Sequence, residues 1–139
     1  MCECESCQDS VLAQARRNAL MKEYGWVADI LIEDDKQTPM GFNIHTHGLG
    51  EKFNHLNFQI VMPMPPETAH AMFVVLVEKL EEGQVFEAEK LYSDIIDIYD
   101  ITFKLAEETG RKVLRLIVPD KEGNLFPDDL EGNFKKQWE

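Results

Sequence analysis

The sequence predicts an α+β fold, in which a mostly antiparallel sheet of about five strands carries helices packed on one face. Several stretches alternate apolar and polar residues with the period of two that marks a strand. Other stretches repeat apolar residues at helical spacing, and the strands follow one another in hairpin order. The chain has 139 residues, 44% of them hydrophobic, which suits a single domain over residues 1–139.

Two helices are expected. The first covers residues 10–24, because Asp9 or Ser10 can cap its start and Gly25 can end it. The second begins at a proline-rich break, since proline is well tolerated in the first turn of a helix, and ends before Gly83. Its core stripe consists of Ala69, Met72, Phe73, Leu76 and Leu80.

Strand alternation predicts the sheet, and the remaining segments are interpreted as connections. Residues 48–53 contain two glycines and predict a hairpin loop, whereas residues 84–97 are interpreted as a loop with a short helical piece. Residues 121–139 are expected to be largely irregular, with Leu125, Phe126 and Trp138 holding them to the body. The predicted strands cover residues 26–33, 40–49, 54–62, 99–105 and 113–118.

The charge balance disfavours one class of partner. Fourteen basic residues against 26 acidic ones give a net charge of -12, which argues against a nucleic-acid-binding protein, since such proteins neutralise phosphates with a basic face. The apolar runs are shorter than the roughly 20 residues of a membrane span. An acidic, cysteine-containing N-terminus lacks the pattern of a secretory signal, so we expect a cytoplasmic protein.

The cysteines are confined to the N-terminus, as Cys2, Cys4 and Cys7. No cysteine elsewhere can pair with them, which excludes a structural disulfide framework. Their close spacing could hold zinc or copper(I) if a fourth donor is supplied. The alternative is that residues 1–8 form a flexible tail of reduced thiols.

Polar side chains fall on one face of the second and third predicted strands. His45 and His47 share a face with Asn43, and on the next strand His55 shares a face with Asn57. The opposite faces are apolar, so the register that joins the apolar faces also joins the polar ones. A loop centred near residue 51 places His47 opposite His55 and His45 opposite Asn57.

Three converging histidines predict a metal site at His45, His47 and His55, with a divalent ion such as zinc as cofactor. Asp29 or Glu33 from the neighbouring strand could orient a ring or act as a base. The candidate ligand-binding residues are Asn43, Asn57 and Asp29. Two alternatives stay open, namely a solvated polar face and a polar interface between copies of the chain.

Four stretches carry a resemblance to a known family. They are "YGW" at residues 24–26, "GFNIHTHGL", "NHLNFQIVMPMPPETAH" and "VPDKEGNLFP". Together they resemble the bacterial domain-of-unknown-function family 4262 over most of the chain after the first twenty residues. Residues 54–57 read Asn-His-Leu-Asn where that family usually shows Gly-His-Pro-Glu, so only His55 carries over. The resemblance implies a single α+β domain and brings no activity with it.

These patterns favour an uncharacterised cytoplasmic binding or interaction domain. The polar His/Asn face would take a small-molecule ligand or a second copy of the chain. One alternative is a small metal-dependent hydrolase that uses the three histidines. Another is a structural subunit without a ligand.

Overall fold

The structure is a computed structural model of the chain, and it describes residues 15, 18–32, 40, 42–96, 99–108 and 110–139. Helix α1 covers residues 18–24 of this part. The other helices and strands are β1 (Val27–Ile32), β2 (Phe42–His47), α2 (Leu49–Phe53), β3 (Asn57–Ile60), α3 (Pro66–Glu81), β4 (Thr102–Glu108), β5 (Arg111–Ile117) and α4 (Gly132–Lys136). Pro127–Asp129 adds one turn of 3-10 helix.

The strands of the described residues form one mixed sheet in the order β1-β2-β3-β5-β4. β1–β2, β2–β3 and β4–β5 are antiparallel, whereas β3–β5 is parallel. The α+β class is therefore as predicted, but the hairpin order is not kept throughout. After β3, helix α3 and the loop that follows carry the chain to the far edge of the sheet. β4 lies at that edge, and the β4–β5 turn returns the chain to the place beside β3.

Helix α3 covers the apolar face of the sheet. Its prolines stand at the start, where a missing backbone N–H costs no helical hydrogen bond, and its bounds agree with the predicted ones. The core on this side includes Ile44, Phe58, Ile60, Phe73, Leu76, Leu80, Phe103, Leu114 and Leu116.

The loop between α3 and β4 completes this core. Within its described residues there is no helical piece, so that part of the prediction is wrong. Instead Tyr92 and Ile101 form an isolated antiparallel bridge. Phe86 is buried and packs edge-on against Phe58, with ring centroids 5.7 Å apart. The described part of the loop is thus held by aromatic packing and by this bridge.

Helix α2 replaces the predicted hairpin loop between β2 and β3. Gly48 with φ 101° and Asn54 with φ 53° flank it in left-handed conformations, which turn the chain sharply at each end. β3 then begins only at Asn57 and pairs His45 with Gln59. The predicted pairing of His45 with Asn57 is wrong by two residues, and a shift of two leaves the residues within the paired strands on their predicted faces.

The second face of the sheet is also covered. Arg115 and Lys104 lie on it, since their neighbours Leu114, Leu116 and Phe103 belong to the α3 side. Arg115 Nη1 donates to the backbone oxygens of Gln137 at 2.7 Å and Glu139 at 2.9 Å. Residues 137–139, which follow helix α4, therefore lie over this second face. Trp138 is itself held by Leu125, whose carbonyl oxygen accepts its ring N–H at 2.8 Å.

Among the described residues, no helix is both long enough and apolar enough to cross a membrane.

Candidate metal centre

The pairing of β1 with β2 brings three potential metal ligands to one place. Asp29 lies directly opposite His45, and Val27 lies opposite His47. Residues two apart in a strand share a face, and opposed residues on that face have neighbouring side chains. Asp29, His45 and His47 therefore converge on the face that carries Arg115.

The distances within this group suit a metal ion. One ligand atom from each of Asp29, His45 and His47 lies within 4.8 Å of the other two. His47 Nε2 is 3.2 Å from Asp29 Oδ2. Two donors bound tetrahedrally to zinc at about 2.0–2.1 Å are about 3.3 Å apart, so this pair already has the required separation. The His45 and His47 rings are nearly perpendicular, at 80°, with centroids 4.8 Å apart.

The centre is closed on one side and open on the other. His45 is buried, with 3% of its surface exposed. The side chains of Asp29 and His47 are each about one-third exposed, 33% and 32%. Among the described strands, β1 lies at the edge of the sheet. One candidate ligand is therefore buried, and the other two are partly exposed to solvent.

Asn43 holds the buried histidine. Its Oδ1 lies 3.0 Å from Nδ1 of His45 and also accepts a hydrogen bond from Gln59 Nε2 at 3.2 Å. Histidines that bind metals usually donate their second ring N–H to a carbonyl or carboxylate, which fixes the ring orientation. Asn43, one of the predicted ligand-binding residues, thus contacts a candidate metal ligand.

The hydrogen bonds continue across the sheet to Arg115. Its Nε donates to Gln59 Oε1 at 2.9 Å, and both side chains are buried. Burial lowers the pKa of Arg115. Burial, followed by the charge of Arg115, also lowers the pKa of Lys104, whose Nζ donates to Trp138 O and, at 3.1 Å, to Glu139 O. The two cations thus meet the carbonyl groups of the C-terminal segment.

His55 is not part of this centre, and the prediction that it shares a face with the other two histidines is wrong. It precedes β3, and its ring packs against Phe58 and Phe86 of the α3 side. Its Nε2 accepts the backbone N–H of Phe86 at 3.1 Å, and its Nδ1 lies 2.7 Å from Leu56 O. Both ring nitrogens therefore serve the fold.

Asn57 also makes contacts within the fold that strand alternation did not predict. Its Oδ1 accepts hydrogen bonds from Thr46 Oγ1 at 3.0 Å and from the backbone N–H of Leu49 at 3.2 Å. It thereby ties the end of β2 to the start of α2. The remaining predicted residues, Cys2, Cys4, Cys7 and Glu33, lie outside the part of the chain that the structure describes.

The fourth histidine, His70, is exposed and stacks on Trp26, with ring centroids 5.6 Å apart. Both residues contribute to an apolar surface cavity of about 640 Å³ between α1, β1 and α3. Leu20, Tyr24 and Val74 also line it, and Glu78 and Glu81 do so as charged groups. His70 is therefore separate from the polar group on the other face.

The sequence pattern did not predict the buried contact between Gln59 and Arg115. Alternation places Gln59 on the polar face, and it places Arg115 between Leu114 and Leu116 on the face opposite to theirs. The residue types alone suggest a surface ion pair for an arginine in such a strand. The missing information is the strand order, which sets β5 beside β3 and aligns Arg115 with Gln59.

The fold and the centre define an α+β protein with a mixed sheet and a candidate two-histidine, one-carboxylate metal centre. The chain belongs to the family described as domain of unknown function 4262, which matches residues 20–130. Comparison with curated proteins and with solved structures finds no match.

Proposed function

We propose that this protein binds a divalent transition-metal ion through Asp29, His45 and His47. The observation that carries the proposal is the convergence of their ligand atoms within 4.8 Å. Two imidazoles and one carboxylate form a ligand set that proteins use for catalytic zinc and for non-haem iron(II). Zinc is the simplest occupant, because it accepts nitrogen and oxygen donors in tetrahedral geometry and needs no redox partner.

The burial of the polar face supports metal binding over a solvated sheet surface. Asn43, His45 and Gln59 are buried within the chain, so they offer little area to a protein partner. Buried polar groups are retained where hydrogen bonds satisfy them, and these three form one connected set. The accessible part of the face is the edge formed by Asp29 and His47.

The decisive experiment is a zinc titration of protein purified without a histidine tag and stripped with a chelator. The cysteines at 2, 4 and 7 are replaced by serine, so that thiolates cannot contribute. We expect one zinc ion per chain. Combining Asp29→Asn with His47→Ala should lower the affinity by at least about 100-fold, because losing direct ligands exceeds the roughly 10- to 100-fold effect of outer groups.

His70→Ala is the matched control, since it removes an imidazole outside the centre and should leave the zinc affinity unchanged. Wild-type protein that takes up no zinc would refute the proposal. So would a double variant that binds as tightly as the wild type.

A metal-dependent hydrolase is the second candidate, favoured by the solvent exposure of Asp29 and His47. Three protein ligands leave a coordination position for water, and a bound metal lowers the pKa of that water to about 7 in known hydrolases. The zinc-loaded protein should then hydrolyse an activated ester or phosphoester, and His47→Ala should abolish the turnover. Zinc binding without any metal-dependent turnover would leave a binding function and exclude this candidate.

A further inference from the structure

We infer that Arg115 and Gln59 fix the tautomer of His45, and thereby the affinity of the metal centre. The hydrogen bonds alone determine the tautomer, whereas its effect on metal affinity rests on the proposed function. Arg115 acts as a positioning residue, because it reaches the centre only through other side chains.

Four side chains form a continuous line across three strands. Arg115 Nε is 2.9 Å from Gln59 Oε1, and Gln59 Nε2 is 3.2 Å from Asn43 Oδ1. Asn43 Oδ1 is 3.0 Å from His45 Nδ1. The register places Gln59 beside both His45 and Arg115. All four residues are buried, where an unpaired polar group is costly, so reversing one hydrogen bond in the line would require the others to change as well.

The guanidinium sets the direction of every bond in the line. Arginine has five N–H donors and no acceptor, so Gln59 must present its oxygen to Arg115. The amide NH₂ of Gln59 then faces Asn43, which must accept through Oδ1. An oxygen that accepts from Gln59 is also the atom next to His45, so Nδ1 of His45 must carry the proton and donate.

A neutral imidazole protonated at Nδ1 has its lone pair on Nε2. Metal ions bind the unprotonated nitrogen, so His45 can act as a ligand only through Nε2 in this tautomer. The reverse tautomer would place the lone pair against Asn43 and a proton on Nε2. The distant cation thus prepares the buried histidine to bind an ion.

Gln59→Glu tests this order with an almost isosteric change. A carboxylate at 59 accepts from Arg115 and has no donor for Asn43, so the Asn43 amide should turn and present its NH₂. Nδ1 of His45 must then accept, which moves the ring proton to Nε2. We expect this variant to bind zinc about 10- to 100-fold more weakly, the range seen when groups behind a ligand are altered.

Asn43→Asp is the matched control, because a carboxylate at 43 still accepts from both Gln59 and His45. It keeps the proton on Nδ1, so its zinc affinity should equal or exceed that of the wild type. Both variants therefore add a negative charge to the network, but only Gln59→Glu reverses the hydrogen-bonding order.

The tautomer is read in metal-free, ¹⁵N-labelled protein from two-bond ¹H–¹⁵N correlations of the imidazole rings. His55 is an internal reference, since its Nε2 accepts from a backbone N–H and its tautomer should be the same in every variant. Wild type and Asn43→Asp should show His45 protonated at Nδ1, and Gln59→Glu should show it protonated at Nε2.

Wild-type His45 protonated at Nε2, or an unchanged tautomer in Gln59→Glu, would overturn the inference. A switched tautomer with unaltered zinc affinity would overturn the link to the metal. If wild type shows the expected tautomer and takes up no zinc, the proposed function fails while the assignment of the tautomer stands.

Discussion

Gly48 shows how a single residue without a side chain shapes the exit from strand β2, which carries His45 and His47. Its φ of 101° is left-handed, and a Cβ there would lie 2.3 Å from the backbone oxygen of Gly25. Gly25 itself precedes β1, so the backbone that enters β1 and the backbone that leaves β2 approach closely at this point. Only glycine combines this conformation with so close an approach.

Gly48→Ala should therefore destabilise the protein by at least about 1–3 kcal/mol, the usual cost of a strained left-handed residue. Gly50→Ala, inside the helix that follows Gly48, is the control, because its added Cβ would have its nearest neighbour at 3.9 Å. That change should be neutral or stabilise by up to about 1 kcal/mol, since alanine favours helix. Urea unfolding measures both, and equal effects would contradict the role assigned to Gly48.

At the level of residues, strand alternation indicates the candidate metal ligands better than the side chains that contact them. It predicts that His45 and His47 share a face and that Asp29 from the neighbouring strand lies near them, because β1 and β2 are consecutive in the chain. His55 is misassigned since helix α2 delays the start of β3 by three residues beyond the predicted start. Arg115 is missed because its partner Gln59 is 56 residues away, and local patterns carry no information on that pairing.

Among the elements, the C-terminal segment is tied to the sheet by the side-chain amide of Gln137, in addition to the contacts of its carbonyl groups with Arg115 and Lys104. Gln137 is fully buried, and its Oε1 accepts the backbone N–H of Val118 at 2.7 Å. Its Nε2 donates to Val118 O at 3.0 Å and to Phe134 O at 2.9 Å. The side chain thus pairs with the end of β5 as a neighbouring strand would, and it keeps α4 and the residues after it in place.

Gln137→Leu should lower the free energy of unfolding by about 2 kcal/mol or more, because the backbone groups of Val118 and Phe134 lose their partners. Leucine has a similar volume, so the change tests the hydrogen bonds and leaves the packing nearly unaltered. Lys136→Ala, at the exposed neighbouring position, should change it by no more than about 0.5 kcal/mol. Chemical denaturation of the two variants gives the comparison. A Gln137→Leu protein as stable as the wild type would show that the amide does not anchor the segment.

Helices and strands with strong periodicity were predictable, and short or pairing-dependent ones were not. The proline start and apolar stripe define α3 from sequence, and β1 and β2 follow from alternation. Helix α2 has only five residues, and one of them is Gly50. A short segment that contains glycine and follows another glycine, Gly48, favours a loop on local grounds. The contacts of Asn57 with Leu49 and Thr46 stabilise it, and those depend on tertiary structure.

In the whole molecule, the two faces of the sheet have different roles, since one holds the apolar core and the other holds the candidate metal centre. The α3 face holds the large apolar core, and the other face holds the polar line from Arg115 to His45. The amphipathic strands predict this division, but the parallel pairing of β3 with β5 is not predictable from them. That pairing is what makes the polar line continuous, since it sets Arg115 beside Gln59.

Two histidine variants test the separation directly. His55→Ala should destabilise the protein by about 2–3 kcal/mol, because it removes a ring packed on Phe58 and Phe86 and leaves the Phe86 N–H without its acceptor. The folded variant should bind zinc as the wild type does. His47→Ala should weaken zinc binding and change the stability little. The stability changes little since the ring is one-third exposed and its pair with Asp29 contributes at most about 1 kcal/mol.

Urea unfolding of the metal-free proteins and zinc titration of the folded ones give the two quantities for each variant. Opposite responses would mean that one face of the sheet stabilises the fold while the other holds the ion. Weaker zinc binding by folded His55→Ala would instead place His55 in the centre, because a residue that acts only through global stability changes the folded fraction and leaves the affinity of the folded protein unchanged.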